Sequence, residues 1–118
     1  MTLLDNTPFH SHSGLELLWK IECNALTDAD WAWAAARVAE RYSFRDVVGV
    51  PQGGLPFEYA LKPYRDPSAE LFLVVDDVLT TGNSMSYVMG CVPDAIGVVL
   101  FARGPLPRNV EAIFTYWQ

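Results

Sequence analysis

Five short apolar runs set the strongest limit on what this chain folds into. They are "LELLWKI" (15–21), "DVVGV" (46–50), "LFLVV" (71–75), the run at 96–102 within "AIGVVLFA", and the tail "AIFTYW". Each has the length of a strand, far below the ~20 apolar residues of a membrane helix. The central runs are almost uninterrupted rather than alternating, so both faces of those strands must be covered. That is the pattern of a parallel sheet between helices.

The intervening segments supply the helices. In "LTDADWAWAAARVAERY", Thr27 and Asp30 form a capping-box-like start, and Trp31, Ala35, Val38 and Tyr42 fall on one helical face. Asp28 and Asp30 in the first turn, with Arg37 and Arg41 near the end, suit the helix dipole. "LPFEYAL" reads as a short helix and "SMSYVMGCV" as a helix continuing after Gly82. "KPYRDPSAE" reads as a polar loop broken by Pro63 and Pro67. The expected architecture is α/β: a single doubly wound, mainly parallel sheet of about five strands. With 118 residues, the chain is expected to form one domain over 1–118.

Charge narrows the function. A net charge of −6, with 8 Lys and Arg in no run, argues against a nucleic-acid-binding face. An anionic ligand would have to be held by backbone donors or a metal, against the overall field. No segment is long and apolar enough for a membrane span, and "MTLLDNTPFH" lacks the basic start of a signal peptide. The expected compartment is the cytoplasm, with Cys23 and Cys91 as reduced, semi-buried thiols.

In doubly wound sheets, ligands collect at the carboxyl ends of the strands. Three such ends stand out here: "PQGG" after 46–50, "DDVLTTGNS" after 71–75 and "RGP" after 96–102. In the second, Thr80, Thr81, Gly82, Asn83 and Ser84 form a turn opening a helix. Free N–H groups and the positive dipole end there make a phosphate cradle that needs no lysine. Asp76 and Asp77 beside it can accept hydrogen bonds from vicinal hydroxyls or hold a hydrated Mg²⁺. A sugar phosphate fits both halves. The bland alternative is a capped strand-turn-helix with solvated acids; two acids directly after a buried run weigh against it.

"LFLVVDDVLTTGNS" resembles the signature of the type I phosphoribosyltransferases: apolar residues, two acids, two apolar residues, then Thr-Thr-Gly. The resemblance implies that this stretch holds the ribose 5-phosphate part of phosphoribosyl pyrophosphate. Asp76 and Asp77 would then be the catalytic pair on the ribose 2- and 3-hydroxyls and the Mg²⁺ site. Thr80, Thr81, Gly82, Asn83 and Ser84 would hold the 5-phosphate. "VVGVPQGGLPFEYAL" is similar to the family's first loop, which implies that Gln52, Gly53 and Gly54 receive pyrophosphate. "PFHSHSGLELLWKIECNALT" looks like the hood segment of the orotate branch, here reduced to 1–26. "GVVLFARGP" looks like its later strand, with Arg103 and His12 as base contacts.

One departure is large. Family enzymes carry a long mobile loop with an extra strand before the ribose-phosphate motif, and only "KPYRDPSAE" stands there, with Lys62 and Arg65 as its cations. A lid excludes water and completes a site. Two readings follow. One is an enzyme that transfers ribose 5-phosphate from phosphoribosyl pyrophosphate to a nitrogenous base, orotate or another pyrimidine, with release of pyrophosphate. It would take phosphoribosyl pyrophosphate or a nucleoside monophosphate, and the resemblance implies a homodimer. The other is a non-catalytic sugar-phosphate or nucleotide-binding module that lost turnover with its lid. Tyr59 and Tyr64, near the first loop, are candidate lid substitutes. "HSH" (His10, His12) has only Cys23 nearby, too few ligands for zinc.

Overall fold

The computed structural model describes residues 26–79 and 81–115. The expected strand at 15–21, nearly all of the hood segment, His10, His12, Cys23 and Thr80 lie outside the described residues.

Helix α1 spans Asp28–Arg41, and its start is the capping box expected from Thr27 and Asp30. Asp30 N–H donates to Thr27 Oγ1 at 3.2 Å and Thr27 N–H donates to Asp30 Oδ2 at 2.9 Å, which satisfies two donors a helix start leaves free. Strand β1 (Asp46–Gly49) is followed by α2 (Leu55–Leu61), a single 3₁₀ turn (Lys62–Tyr64) and β2 (Phe72–Leu79). Helix α3 (Asn83–Gly90), β3 (Ala95–Ala102) and β4 (Val110–Thr115) complete the described chain. The four strands form one sheet in the order β1-β2-β3-β4, every pair parallel.

The uninterrupted apolar runs are explained by a core on each face of the sheet. Leu73, Val75, Val98 and Leu100 meet Trp31, Ala35 and Val38 of α1 and Phe57 and Leu61 of α2. The rings of Trp31 and Phe57 lie 5.2 Å apart, joining the two helices. On the other face Val74, Val99 and Ala102 meet Met85, with Val88 and Met89 of α3 packed alongside. Arg41 pairs with Glu111 at 3.2 Å and ties the end of α1 to β4. The aromatics of α1 are packing residues: Trp31 is buried and Arg37 lies over the Trp33 ring. Cys91 is exposed rather than semi-buried, because it falls one residue beyond the end of α3.

One feature departs from the sequence reading and a second from the usual topology of such sheets. First, β2 does not stop at Val75 but runs through both acids to Leu79, because its pairing with β3 continues to Leu79 opposite Ala102. Strand β1 ends at Gly49, opposite Val75, so residues 76–79 overhang the end of β1. Second, the two helical crossovers step across the sheet in the same direction with α2 and α3 on opposite faces. They therefore have opposite hands, although right-handed crossovers are the strong rule. The short 62–71 connection returns α2 directly to the neighbouring strand, and among the described residues no further strand lies beyond β1.

That connection is fastened along the sheet edge. Asp66 N–H donates to Phe44 O at 2.8 Å and Arg45 N–H to Leu71 O at 2.7 Å, which ties it to the segment leading into β1. Arg65 pairs with Asp46 at 3.6 Å and Lys62 with Glu58 at 3.4 Å. Among the described residues, no helix is long and apolar enough to cross a membrane.

Candidate functional site

The overhang of β2 is where the chemistry gathers. Alternation along the strand turns Asp76 to the α3 face, with Val74, and Asp77 to the α2 face, with Leu73 and Val75. Each acid meets a different loop.

On the α3 side, a small cavity of about 60 Å³ is lined by Asp76, Thr81, Gly82, Asn83, Ser84 and Met85, with Val78 and Leu79 beneath. Gly82 caps α3 in the left-handed region at φ 84°, which a side chain would resist. Asn83 N–H donates to Thr81 Oγ1 at 3.3 Å. The N–H groups of Ser84 and Met85 have no partner among the described residues, as the start of an uncapped helix requires. They are free to bind an anion beside Asp76.

On the α2 side, the loop at 51–54 folds back against the overhang. Val50 N–H donates to Val75 O at 2.8 Å and Gly54 N–H to Val50 O at 2.8 Å. A Cβ on Gly53 would stand 2.6 Å from both oxygens of Asp77. A Cβ on Gly54 would run into Val75 O and Val50 N. The Gly-Gly pair is thus required by the closeness of loop and strand. Gln52 N–H and Gly53 N–H have no partner among the described residues. The peptide bond between Pro51 and Gln52 is cis.

The two acids are not equivalent. Burial pushes the Asp76 carboxyl up to about 7, and a side-chain hydrogen bond with Asp77 adds to the rise. Asp77 N–H donates to Asp76 Oδ1 at 2.8 Å, and Val78 N–H donates to Asp77 Oδ1 at 2.7 Å. Near neutral pH, Asp76 can therefore hold or release a proton. Two carboxylates suit a hydrated divalent cation, with water and ligand oxygens completing its shell. Among the described residues, no cluster of three or more His, Cys, Asp or Glu forms a fuller metal site.

Thus Gln52, Gly53 and Gly54 come together with Asp77, and Thr81, Gly82, Asn83 and Ser84 with Asp76. Thr80 and His12 lie outside the described residues. Arg103 is exposed just past the end of β3, and its N–H donates to Leu79 O at 3.0 Å, placing it at the end of β2. Tyr59 and Tyr64 line a separate apolar groove of about 460 Å³ between α1 and α2, with Trp31, Ala32, Pro56 and Pro63. None of the loop or acid residues borders that groove, so the tyrosines line a different face from the acid pair. Sequence reasoning missed Glu58, whose Oε1 accepts Gly49 N–H at 2.7 Å directly before the loop. The available signal was a lone acid within the otherwise apolar "LPFEYAL".

No family model and no curated protein matches this chain. Among solved structures, UMP synthase from Leishmania donovani matches with a TM-score of 0.58 at 18% identity, over 72% of this chain and 26% of that one. Xanthine-guanine-hypoxanthine phosphoribosyltransferase from Helicobacter pylori matches with a TM-score of 0.55 at 15% identity, over 71% of this chain and 79% of that one. The chain thus spans about a quarter of the first protein and about four fifths of the second. At these identities the likeness is one of fold: this chain has the parallel α/β fold also found in a phosphoribosyltransferase.

Proposed function

We propose that this protein binds phosphoribosyl pyrophosphate with Mg²⁺ and transfers ribose 5-phosphate to a nitrogenous base, orotate or another pyrimidine, releasing pyrophosphate. The observation that carries this reading is the acid pair lying between two separate sets of free backbone N–H groups. A 5-phosphate at Thr81–Ser84 and a pyrophosphate at Gln52–Gly54 would place the ribose over Asp76 and Asp77. The fold shared with a phosphoribosyltransferase supports the same assignment.

In this reading, Asp76 and Asp77 grip the 2- and 3-hydroxyls and face the positive charge that grows on the sugar as its bond to pyrophosphate lengthens. The two backbone nests fix the ends of the molecule and so align that bond. Mg²⁺ would be held at the acid pair and supply charge neutralisation for the departing pyrophosphate. Arg103, at the end of β2, is the proposed base contact.

A second reading is favoured by one specific observation. The 62–71 connection, which stands where a closing loop would be, is fastened along the edge of β1. A site without that cover suits a non-catalytic sugar-phosphate or nucleotide-binding module. Incubating the protein with phosphoribosyl pyrophosphate, Mg²⁺ and a panel of bases, orotate first, separates the two. Base-dependent pyrophosphate release supports the transferase; saturable binding without release supports the module.

A further inference from the structure

Both N–H groups that β1 turns away from β2 are taken by carboxylates. Val47 N–H donates to Asp46 Oδ1 at 2.8 Å, and Gly49 N–H donates to Glu58 Oε1 at 2.7 Å. Each carboxylate is paired in turn with a cation from the short connection, Asp46 with Arg65 at 3.6 Å and Glu58 with Lys62 at 3.4 Å. Among the described residues, this edge of the sheet is closed by side chains where a further strand would otherwise pair.

The two units differ in what they reach. Asp46 acts at the start of β1, remote from the loop. Glu58 acts at both ends of it. Its carboxylate holds Gly49, the last residue of β1, and its own N–H donates to Gly54 O at 3.0 Å, the residue where the loop closes. The Glu58 side chain is 23% exposed, so its bond to Gly49 is partly shielded from water.

We propose that Glu58 is a positioning residue for the 51–54 loop, setting its affinity for pyrophosphate without touching the anion. This rests on the reading of that loop as the pyrophosphate nest. The carboxylate fixes the direction in which β1 enters the loop, and the helix that carries it fixes the exit. Gln52 N–H and Gly53 N–H are then presented together toward Asp77. Lys62, 3.4 Å from Glu58 Oε2, helps hold that side chain turned toward Gly49 rather than toward solvent.

The test compares Glu58→Ala, Glu58→Gln and the edge control Asp46→Ala. Amide hydrogen exchange is read at Gly49, Gly54 and Leu55 without ligand. Calorimetric titrations then use inorganic pyrophosphate and, separately, ribose 5-phosphate, each with Mg²⁺. Glu58→Ala is expected to speed exchange at these amides and weaken pyrophosphate about tenfold, the scale of losing an outer partner of a binding group. Ribose 5-phosphate, held by the other nest, should stay within about twofold by the independence of separate sites. Glu58→Gln, which keeps an acceptor oxygen, should restore most of the affinity, and Asp46→Ala should change neither ligand. Equal weakening of both ligands in Glu58→Ala, or unchanged exchange and affinity, overturns the proposal. If the parent binds neither ligand, the pyrophosphate reading fails on its own. Exchange then still decides: faster exchange in Glu58→Ala upholds the positioning role, and unchanged exchange ends it.

Discussion

The Asp77 carboxylate occupies the space a side chain on Gly53 would need, with both oxygens 2.6 Å from where that Cβ would stand. Loop and acid are therefore parts of one site. The neighbouring glycine differs, because a Cβ on Gly54 would meet the backbone atoms Val75 O and Val50 N instead. A carboxylate can rotate away and a paired strand cannot. Gly53→Ala should cost about 1 kcal/mol of stability, whereas Gly54→Ala should cost about 3 kcal/mol, the upper range for overpacking. Ligand affinity should fall at least tenfold in Gly53→Ala, since the displaced acid is one of the two proposed to lie beneath the sugar (about 1.4 kcal/mol). Thermal melts and calorimetry on the two variants check the contrast.

Asp76 makes stability depend on pH in an unusual direction. Its carboxyl titrates near 7 in the folded protein, against an ordinary value of 3.8. Between those values the folded state binds more protons than the unfolded one. This group's contribution to stability is thus full below about pH 4, falls as pH rises toward 7 and is level above that. Asp76→Asn removes the dependence. The variant's melting temperature should approach the parent's at pH 4 and exceed it by several degrees at pH 8, in melts across that range.

In the proposed site, competition with that proton would also govern Mg²⁺ binding. Mg²⁺ needs both carboxylates ionised, so its affinity in the presence of phosphoribosyl pyrophosphate should climb between pH 6 and pH 8 about the value near 7. Titrations at the two pH values check this, and Asp76→Asn should flatten the difference.

Arg65 is an edge residue rather than a lid residue. Its pair with Asp46 spans 3.6 Å between half-exposed side chains, the kind of ion pair worth under about 1 kcal/mol. Arg65→Ala should melt within a few degrees of the parent and bind phosphoribosyl pyrophosphate with unchanged affinity, as read by calorimetry.

Gly82 holds the turn before α3 at φ 84°, and a Cβ there would also stand 3.1 Å from Pro107 Cγ. Gly82→Ala should cost about 1–2 kcal/mol from the left-handed backbone alone. Ribose 5-phosphate affinity should fall while pyrophosphate affinity holds, the opposite pattern to a disturbance at the 51–54 loop.

Much of this was legible in the residues. The uninterrupted runs at 46–50, 71–75 and 96–102 correspond to β1, β2 and β3 because their side chains face a core on each side. The cap at Thr27 and the start of α3 after Gly82 follow from local chemistry, which acts within a turn of chain. The Gly-Gly pair and the acid pair marked two strand ends, but their meeting was not visible. It depends on β1 being four residues shorter than β2, a matter of register and pairing rather than of local sequence. The same holds for the overhang: Asp76 and Asp77 look like loop residues by composition, and only pairing with β3 keeps them in the strand. Glu58 was missed because its partner is a backbone N–H nine positions away, which no side-chain pattern records. The sequence left the role of Lys62 and Arg65 open; their partners Glu58 and Asp46 lie on neighbouring elements and emerge only in three dimensions.

The most direct measurement is calorimetric titration of phosphoribosyl pyrophosphate into the protein with Mg²⁺, beside the Asp76→Asn and Asp77→Asn variants. One-site saturable binding by the parent, weakened at least tenfold in each variant (about 1.4 kcal/mol), is the expected result. No binding by the parent, or equal binding by all three, would contradict the assignment of the acid pair and its two nests as a phosphoribosyl pyrophosphate site.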